Sequence, residues 1–195
     1  MVSRIAGFAF SMAIAMTASS PAPAAARTTV VVFRPWTDGT LTTGYTISQR
    51  VTGSCWTHSL ESDRPDAWRC RRGDEIYDPC FGPSKMRVVA CAVSPFSKSV
   101  VLLSLKSALK DEEDPTAKML QPSGEPWGLR LASGDTCVFV VGATDAVGDQ
   151  RLNYACRRNG WIVGGTNRSR ATWTAHRVQW PNTRVTSVQI AGAIF

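Results

Sequence analysis

The chain has 195 residues, 44% hydrophobic and 19% charged, with 22 Lys plus Arg against 15 Asp plus Glu and a formal net charge of +7. These proportions exclude a collagen, a coiled coil, a polytopic membrane protein and a disordered chain. Six cysteines in a chain of this length point to a domain held by disulfides in an oxidising compartment.

At the N-terminus Arg4 precedes the apolar stretch Ile5 to Met16, and the small, Pro-broken segment Thr17 to Ala26 follows. That order is expected of a secretory signal peptide. Its apolar core of 12 residues is shorter than the roughly 18 a spanning helix needs. Ala24-Ala25-Ala26 offers small residues for cleavage before Arg27, with cleavage after Ala24 the alternative. No cysteine stands near that site, the first being Cys55, so the expected product is secreted and released, with no membrane span in the mature chain. Residues 27–195 then form a mature chain of 169 residues and charge +6, a size that suits a single domain with a substantial core of its own.

Short apolar or alternating runs separated by Gly, Pro, Asp or Ser predict strands over Thr28 to Phe33, Thr42 to Thr52, Met86 to Val93, Val100 to Leu105 and Trp127 to Leu131. Leu103 to Leu120 has some helical character, but Asp111-Glu112-Glu113-Asp114 and Pro115 interrupt it, and an exposed loop with at most one helical turn is expected. Further on, Gly134-Asp135 joins the Trp127 strand to Cys137-Val138-Phe139-Val140-Val141, and Arg151 to Cys156 is the next strand. Asn159-Gly160 has the composition of a two-residue type I′ hairpin leading into Trp161-Ile162-Val163, since both central positions of that turn need positive φ. Val188, Ile190 and Ile194 alternate with Ser187, Gln189 and Ala193 in a half-buried last strand. The expected fold is all-β, an antiparallel sandwich or barrel stabilised by disulfides and with little helix.

One hairpin predicts its own crosslink. If Gly142 faces Arg151 in an antiparallel pair, Phe139 faces Tyr154 and Cys137 faces Cys156. Directly opposed β-carbons lie about 4.5–5.5 Å apart, wider than the roughly 3.8 Å of a disulfide, so strain or a bulge is expected there. Cys55 and Cys70 flank the polar loop Glu61-Ser62-Asp63-Arg64-Pro65-Asp66, each follows or ends a strand-like stretch, and they are paired, which leaves Cys80 for Cys91 and a sequential connectivity.

The charge distribution is uneven. From Arg151 to Phe195 there are seven arginines and no acid, with Trp161, Trp173 and Trp180 interleaved. Arginine beside an aromatic platform suits an anionic polymer, a glycan or single-stranded nucleic acid. Trp161, Arg168, Arg170, Trp173, Arg177 and Trp180 are therefore the candidate binding residues, provided that they share a face. Arg69, Arg71 and Arg72 form a second basic cluster beside Trp68, diluted by Asp66, Asp74 and Glu75.

Catalytic patterns are weak by comparison. His58 and His176 are the only histidines, and no nucleophile-elbow pattern accompanies them. Ser107-Ala108-Leu109-Lys110 fits a Ser-x-x-Lys pattern without its companion motifs. Cys55-Trp56-Thr57-His58 has zinc-ligand spacing but no second pair, so neither a metal nor a cofactor is expected. Glu61 with Asp63, and Asp74-Glu75, are most simply exposed turn carboxylates.

The order Gly53-Ser54-Cys55, Ala67-Trp68-Arg69-Cys70, Asp78-Pro79-Cys80-Phe81, Cys91, Pro126-Trp127, Gly134-Asp135-Thr136-Cys137 and Tyr154-Ala155-Cys156 resembles that of a family of small exported actinobacterial proteins with no assigned activity. The resemblance implies paired cysteines and an extracytoplasmic location, and carries over no catalytic residue. The expected function is a secreted, non-enzymatic binding or envelope-associated domain for an anionic polymer or glycan. The alternatives are a hydrolase acting on an envelope polymer, or a protease inhibitor presenting the braced loop Trp56 to Arg69.

Overall fold

A β-meander reverses direction at every step, so the parity of its strand number decides how it closes. The computed structural model describes residues 27–109, 124–142, 144–179 and 182–195, and no helix occurs among them. Two meanders follow one another along the chain. The first runs through β4 (Thr46–His58), β5 (Ala67–Arg72), β6 (Glu75–Phe81), β7 (Val88–Ala92) and β8 (Ser99–Leu105), and closes into a barrel. With five strands the last runs the same way as the first, and β8 pairs β4 in parallel from Thr46↔Ser99 to Gly53↔Leu105.

β4 reaches two neighbours by changing sides along its length: residues up to Gly53 lie against β8, and those from Ser54 against β5. Gly53 sits at the changeover because a β-carbon there would collide with the Arg71 carbonyl oxygen.

The second meander comprises β9 (Gly128–Leu131), β10 (Thr136–Phe139), β12 (Gln150–Cys156), β13 (Gly160–Asn167), β14 (Trp173–Gln179) and β15 (Asn182–Ile194). Six strands bring the last back antiparallel, and β15 closes on β9 through Ala193↔Leu129 and Ile194↔Gly128. β1 (Thr29–Val31) runs parallel to the end of β15, β11 (Ala146–Val147) pairs the start of β12, and β2 (Trp36–Thr37) with β3 (Thr40–Leu41) makes a small separate hairpin.

Period-two alternation builds the cores. Along β8, Val101, Leu103 and Leu105 join Trp68, Cys70, Cys80, Val89 and Cys91 inside the first barrel. Val100 and Leu102 face outward into a larger apolar cluster that includes Leu129, Phe139, Tyr154 and Ile190 of the second barrel. Phe33, Phe81 and Trp127 meet at that junction, with ring centroids 5.1–6.1 Å apart. At the junction Gly128 also admits Pro95, which a β-carbon would meet at 2.6 Å.

The disulfides join Cys55 to Cys70, Cys80 to Cys91 and Cys137 to Cys156. Each pair stands directly opposite in an antiparallel ladder. Phe139 faces Tyr154 as the register requires. The ladder shifts beside Cys55, whereas no shift interrupts the Cys137 pairing.

Several local expectations are corrected. Only Asn159 of Asn159-Gly160 has positive φ; Gly160 is already the first residue of β13, opposite Cys156, so the connection is a three-residue loop. Arg151 pairs Ala146 through a hairpin at Gly148-Asp149, and it meets Gly142 by its side chain, which donates to that carbonyl at 2.9 Å. β6 and β14 are not expected from the sequence, since their charged residues mask the apolar period, whereas β5 contains the strand-like stretch expected at Cys70. Of the segment Leu103 to Leu120, residues to Leu105 belong to β8, Leu109 is buried in the first barrel, and residues from 110 lie outside the described part.

Candidate functional site

Three of the C-terminal arginines make contacts that tie parts of the fold together. Arg151 donates to Asn153 Oδ1, the Val140 carbonyl and the Gly142 carbonyl. Arg177 pairs with the buried Asp135 at 2.6 Å. Arg168 donates to Thr166 Oγ1 and the Gly124 carbonyl, lies 3.6 Å from Glu125, and covers the rings of Trp173 and Phe195 at 4.8 and 5.3 Å. These three guanidiniums are engaged within the fold. Arg157, Arg158, Arg170 and Arg184 are exposed.

Of the candidate binding residues, Arg168 and Trp173 come together. Trp161 does not join them: it stands opposite Val178 and packs on the outer cluster of Leu152 and Val163, whereas Trp173 stands opposite the fully buried Ile190. Trp180 lies outside the described residues.

Within Trp56 to Arg69, the loop between β4 and β5 is anchored to the fold at several points, while Asp63 and Pro65 are exposed. Ser59 and Ser62 are buried, and Ser59 Oγ donates to Asp78 at 2.5 Å while accepting from the Glu61 and Ser62 N–H groups. Arg64 crosses the junction to the Phe33 and Phe195 carbonyls and covers Phe81 at 4.6 Å. Glu61 is no exposed turn acid either, because it turns inward and accepts from Trp127 Nε1 at 3.0 Å. Burial, reinforced by the nearby Asp78 carboxylate, pushes its pKa up to about 8. Asp78 is raised by burial too, against the opposing effect of its Ser59 and Leu60 hydrogen bonds and of Arg69. Asp63 points away and accepts the Gly124 N–H.

His58 stacks on Trp68 with centroids 4.3 Å apart. His176 is exposed on β14 and stands opposite Ser187 in the ladder with β15. The sulfurs of Cys70, Cys80 and Cys91 lie within 4.8 Å of one another, but all three are in disulfides and offer no thiolate to a metal. Lys110 of the Ser-x-x-Lys pattern lies outside the described residues.

A cleft of about 550 Å³ opens where β1 and the end of β15 meet the loops around Tyr45 and Phe96 of the first barrel. Arg34, Lys98 and Arg130 are exposed along it, and among the described residues no Asp or Glu lines it. Lys98 Nζ lies 5.7 Å from the Tyr45 ring and the Arg130 guanidinium 5.4 Å from that of Phe96. Among the described residues none of these three cations is paired with a carboxylate, in contrast to Arg64, Arg69, Arg168 and Arg177.

The fold sets each position. The Lys98 carbonyl accepts the Thr46 N–H at 2.9 Å, Arg130 stands opposite Gly192 in the closing ladder, and the Arg34 N–H donates to Tyr45 Oη at 3.2 Å. Burial raises the Tyr45 phenol above its ordinary pKa, so it presents a neutral hydroxyl. Exposed Val31 and Val32 supply an apolar wall. The sequence gives no local sign of this grouping, because its cations come from three distant segments. The nearest hint is the turn-rich Ser94-Pro95-Phe96-Ser97-Lys98, where a phenylalanine stands beside a lysine without a strand to explain it.

No protein-family model, no curated protein and no solved structure matches the chain.

Proposed function

We propose that the protein is an exported binding module that holds an anionic ligand, a segment of an envelope polymer, in the cleft between its two barrels. The observation that carries this reading is the grouping of Arg34, Lys98 and Arg130 along one cleft where, among the described residues, no carboxylate lines the opening or neutralises any of them. Unpaired cations beside low-dielectric walls concentrate field at the opening, and the Tyr45 and Phe96 rings favour groups that stack. Three disulfides support an oxidising destination, as do the signal-like N-terminal segment and the likeness to small exported proteins. No helix among the described residues is long and apolar enough to cross a membrane.

Retention on purified cell wall and on heparin tests the reading. The triple variant Arg34→Ala, Lys98→Ala, Arg130→Ala should elute at lower salt than wild type, with the log–log salt slope reduced by about 2–3. The Arg168→Ala, Arg170→Ala variant should elute with wild type. Equal elution of the triple variant and wild type would remove the cleft from consideration.

A further inference from the structure

β4 ejects a tryptophan into solvent. In its ladder with β5, Cys55 stands opposite Cys70 and Thr57 opposite Arg69, so Trp56 is the extra residue of a bulge. Its side chain is 48% exposed. A bulge sacrifices ladder pairing and re-aims the side chain it carries, and bulges are over-represented beside binding sites. Exposing an indole also forgoes the large apolar burial that a tryptophan ordinarily contributes.

The surroundings of Trp56 are specific. Arg69 and Arg71, two residues apart on β5, each hold their guanidinium carbon 5.8 Å from the indole centroid. Beside the ring lies a cavity of about 260 Å³ lined by Trp56, Thr57, Trp68 and Ser107 among others. Thr57 is only 6% exposed, and its buried Oγ1 has no hydrogen-bond partner among the described residues. A buried hydroxyl in that state is destabilising until a polar group completes it. Arg71, beside the indole, borders a second cavity of about 350 Å³, lined also by Lys106, Ser54 and Asp74.

We propose that Trp56, bulged out of β4 between Arg69 and Arg71, is the stacking platform of a second binding site, separate from the cleft between the barrels, whose ligand is an acidic sugar ring. The indole packs on the C–H face of a pyranose, Arg71 takes the ring carboxylate, and Thr57 and Ser107 offer hydroxyls to the sugar hydroxyls. The cavity is smaller than the roughly 300 Å³ of the least drug-sized pockets, which suits one ring. The second cavity, lined by Arg71 and Lys106, receives the next acidic unit of a chain. A nucleobase would also stack on Trp56, but it carries no ring of hydroxyls to meet Thr57 and Ser107.

Titration of the exported protein with trigalacturonate, followed by tryptophan fluorescence and calorimetry, decides the matter, with maltotriose and trithymidylate as the competing probes. Saturable binding of trigalacturonate is expected, lost in Trp56→Ala, weakened about tenfold in Arg71→Ala and several-fold in Thr57→Val. The Arg34→Ala, Lys98→Ala, Arg130→Ala variant should bind trigalacturonate at this site as wild type does, which separates this proposal from the cleft reading. Absence of binding at millimolar ligand, full binding by Trp56→Ala, or equal binding of maltotriose or trithymidylate would each overturn it. Should Trp56→Ala fail to fold, the exposed Arg71→Ala variant decides alone: unchanged affinity there also overturns the proposal.

Discussion

Arg177 occupies the space that Gly160 leaves empty, since a β-carbon at Gly160 would lie 2.7 Å from its Nε and 2.8 Å from its Nη2. Across that gap the guanidinium reaches Asp135 at 2.6 Å, with side-chain exposures of 13% and 1% for the two partners. Asp135 Oδ1 in turn accepts the N–H groups of Thr136 and Arg158, so one buried acid ties the turn before β10 to the loop before β13. Removing the cation strands that acid. Arg177→Met should therefore lower stability by about 3–5 kcal/mol, and adding Asp135→Asn should recover part of the loss. Gly160→Ala should cost about 1–3 kcal/mol by displacing the guanidinium. Urea midpoints of the four proteins test both statements.

Glu61 makes stability depend on pH. Its carboxyl holds its proton to about pH 8 in the folded state because it is buried near Asp78, whereas in the unfolded chain it ionises near 4.5. The folded state then binds more protons, so the stabilisation is fully present below about pH 4.5 and is lost as pH rises through 8. Wild type should lose up to about 1.4 kcal/mol per pH unit over that window. Glu61→Gln keeps a neutral acceptor for Trp127 and should show a flatter profile, read as the difference in melting temperature between pH 5 and pH 9. Parallel profiles for the two proteins would show that Glu61 does not carry the effect.

The crosslink between Cys137 and Cys156 closes a 19-residue separation across a ladder that the backbone already pairs. A double Cys137→Ala, Cys156→Ala variant should keep the fold while losing about 2–4 kcal/mol. Circular dichroism for the fold and urea midpoints for the loss make the measurement.

The legible part of this fold was local. Val100 to Leu105 alternates so strongly that its strand shows in the residues, and the Cys137 and Cys156 hairpin carries its register in the spacing of two short runs. β5 was legible only as a strand-like stretch at Cys70, since Trp68 and Cys70 are buried between charged neighbours and Arg71 and Arg72 read as a basic patch. Glu61 failed for a related reason: an acid beside serine and proline looks like a turn residue until Trp127, 66 positions on, is folded over it. The candidate site was less legible still. Trp161 and Trp173 are close in the chain yet on opposite sides of their sheet, while Arg34, Lys98 and Arg130 are far apart in the chain and line one cleft.

Composition, cysteine spacing and side-chain alternation were enough by themselves to define an all-β chain with paired cysteines, because a strand's period and a ladder's register are set by neighbours a few residues away. Closure into a five-strand and a six-strand barrel, and with it the burial of Glu61, the ejection of Trp56 and the cationic cleft, belonged to the tertiary structure alone. Those features depend on which distant surfaces meet, and the desolvation and charge that result are properties of the meeting and not of any segment.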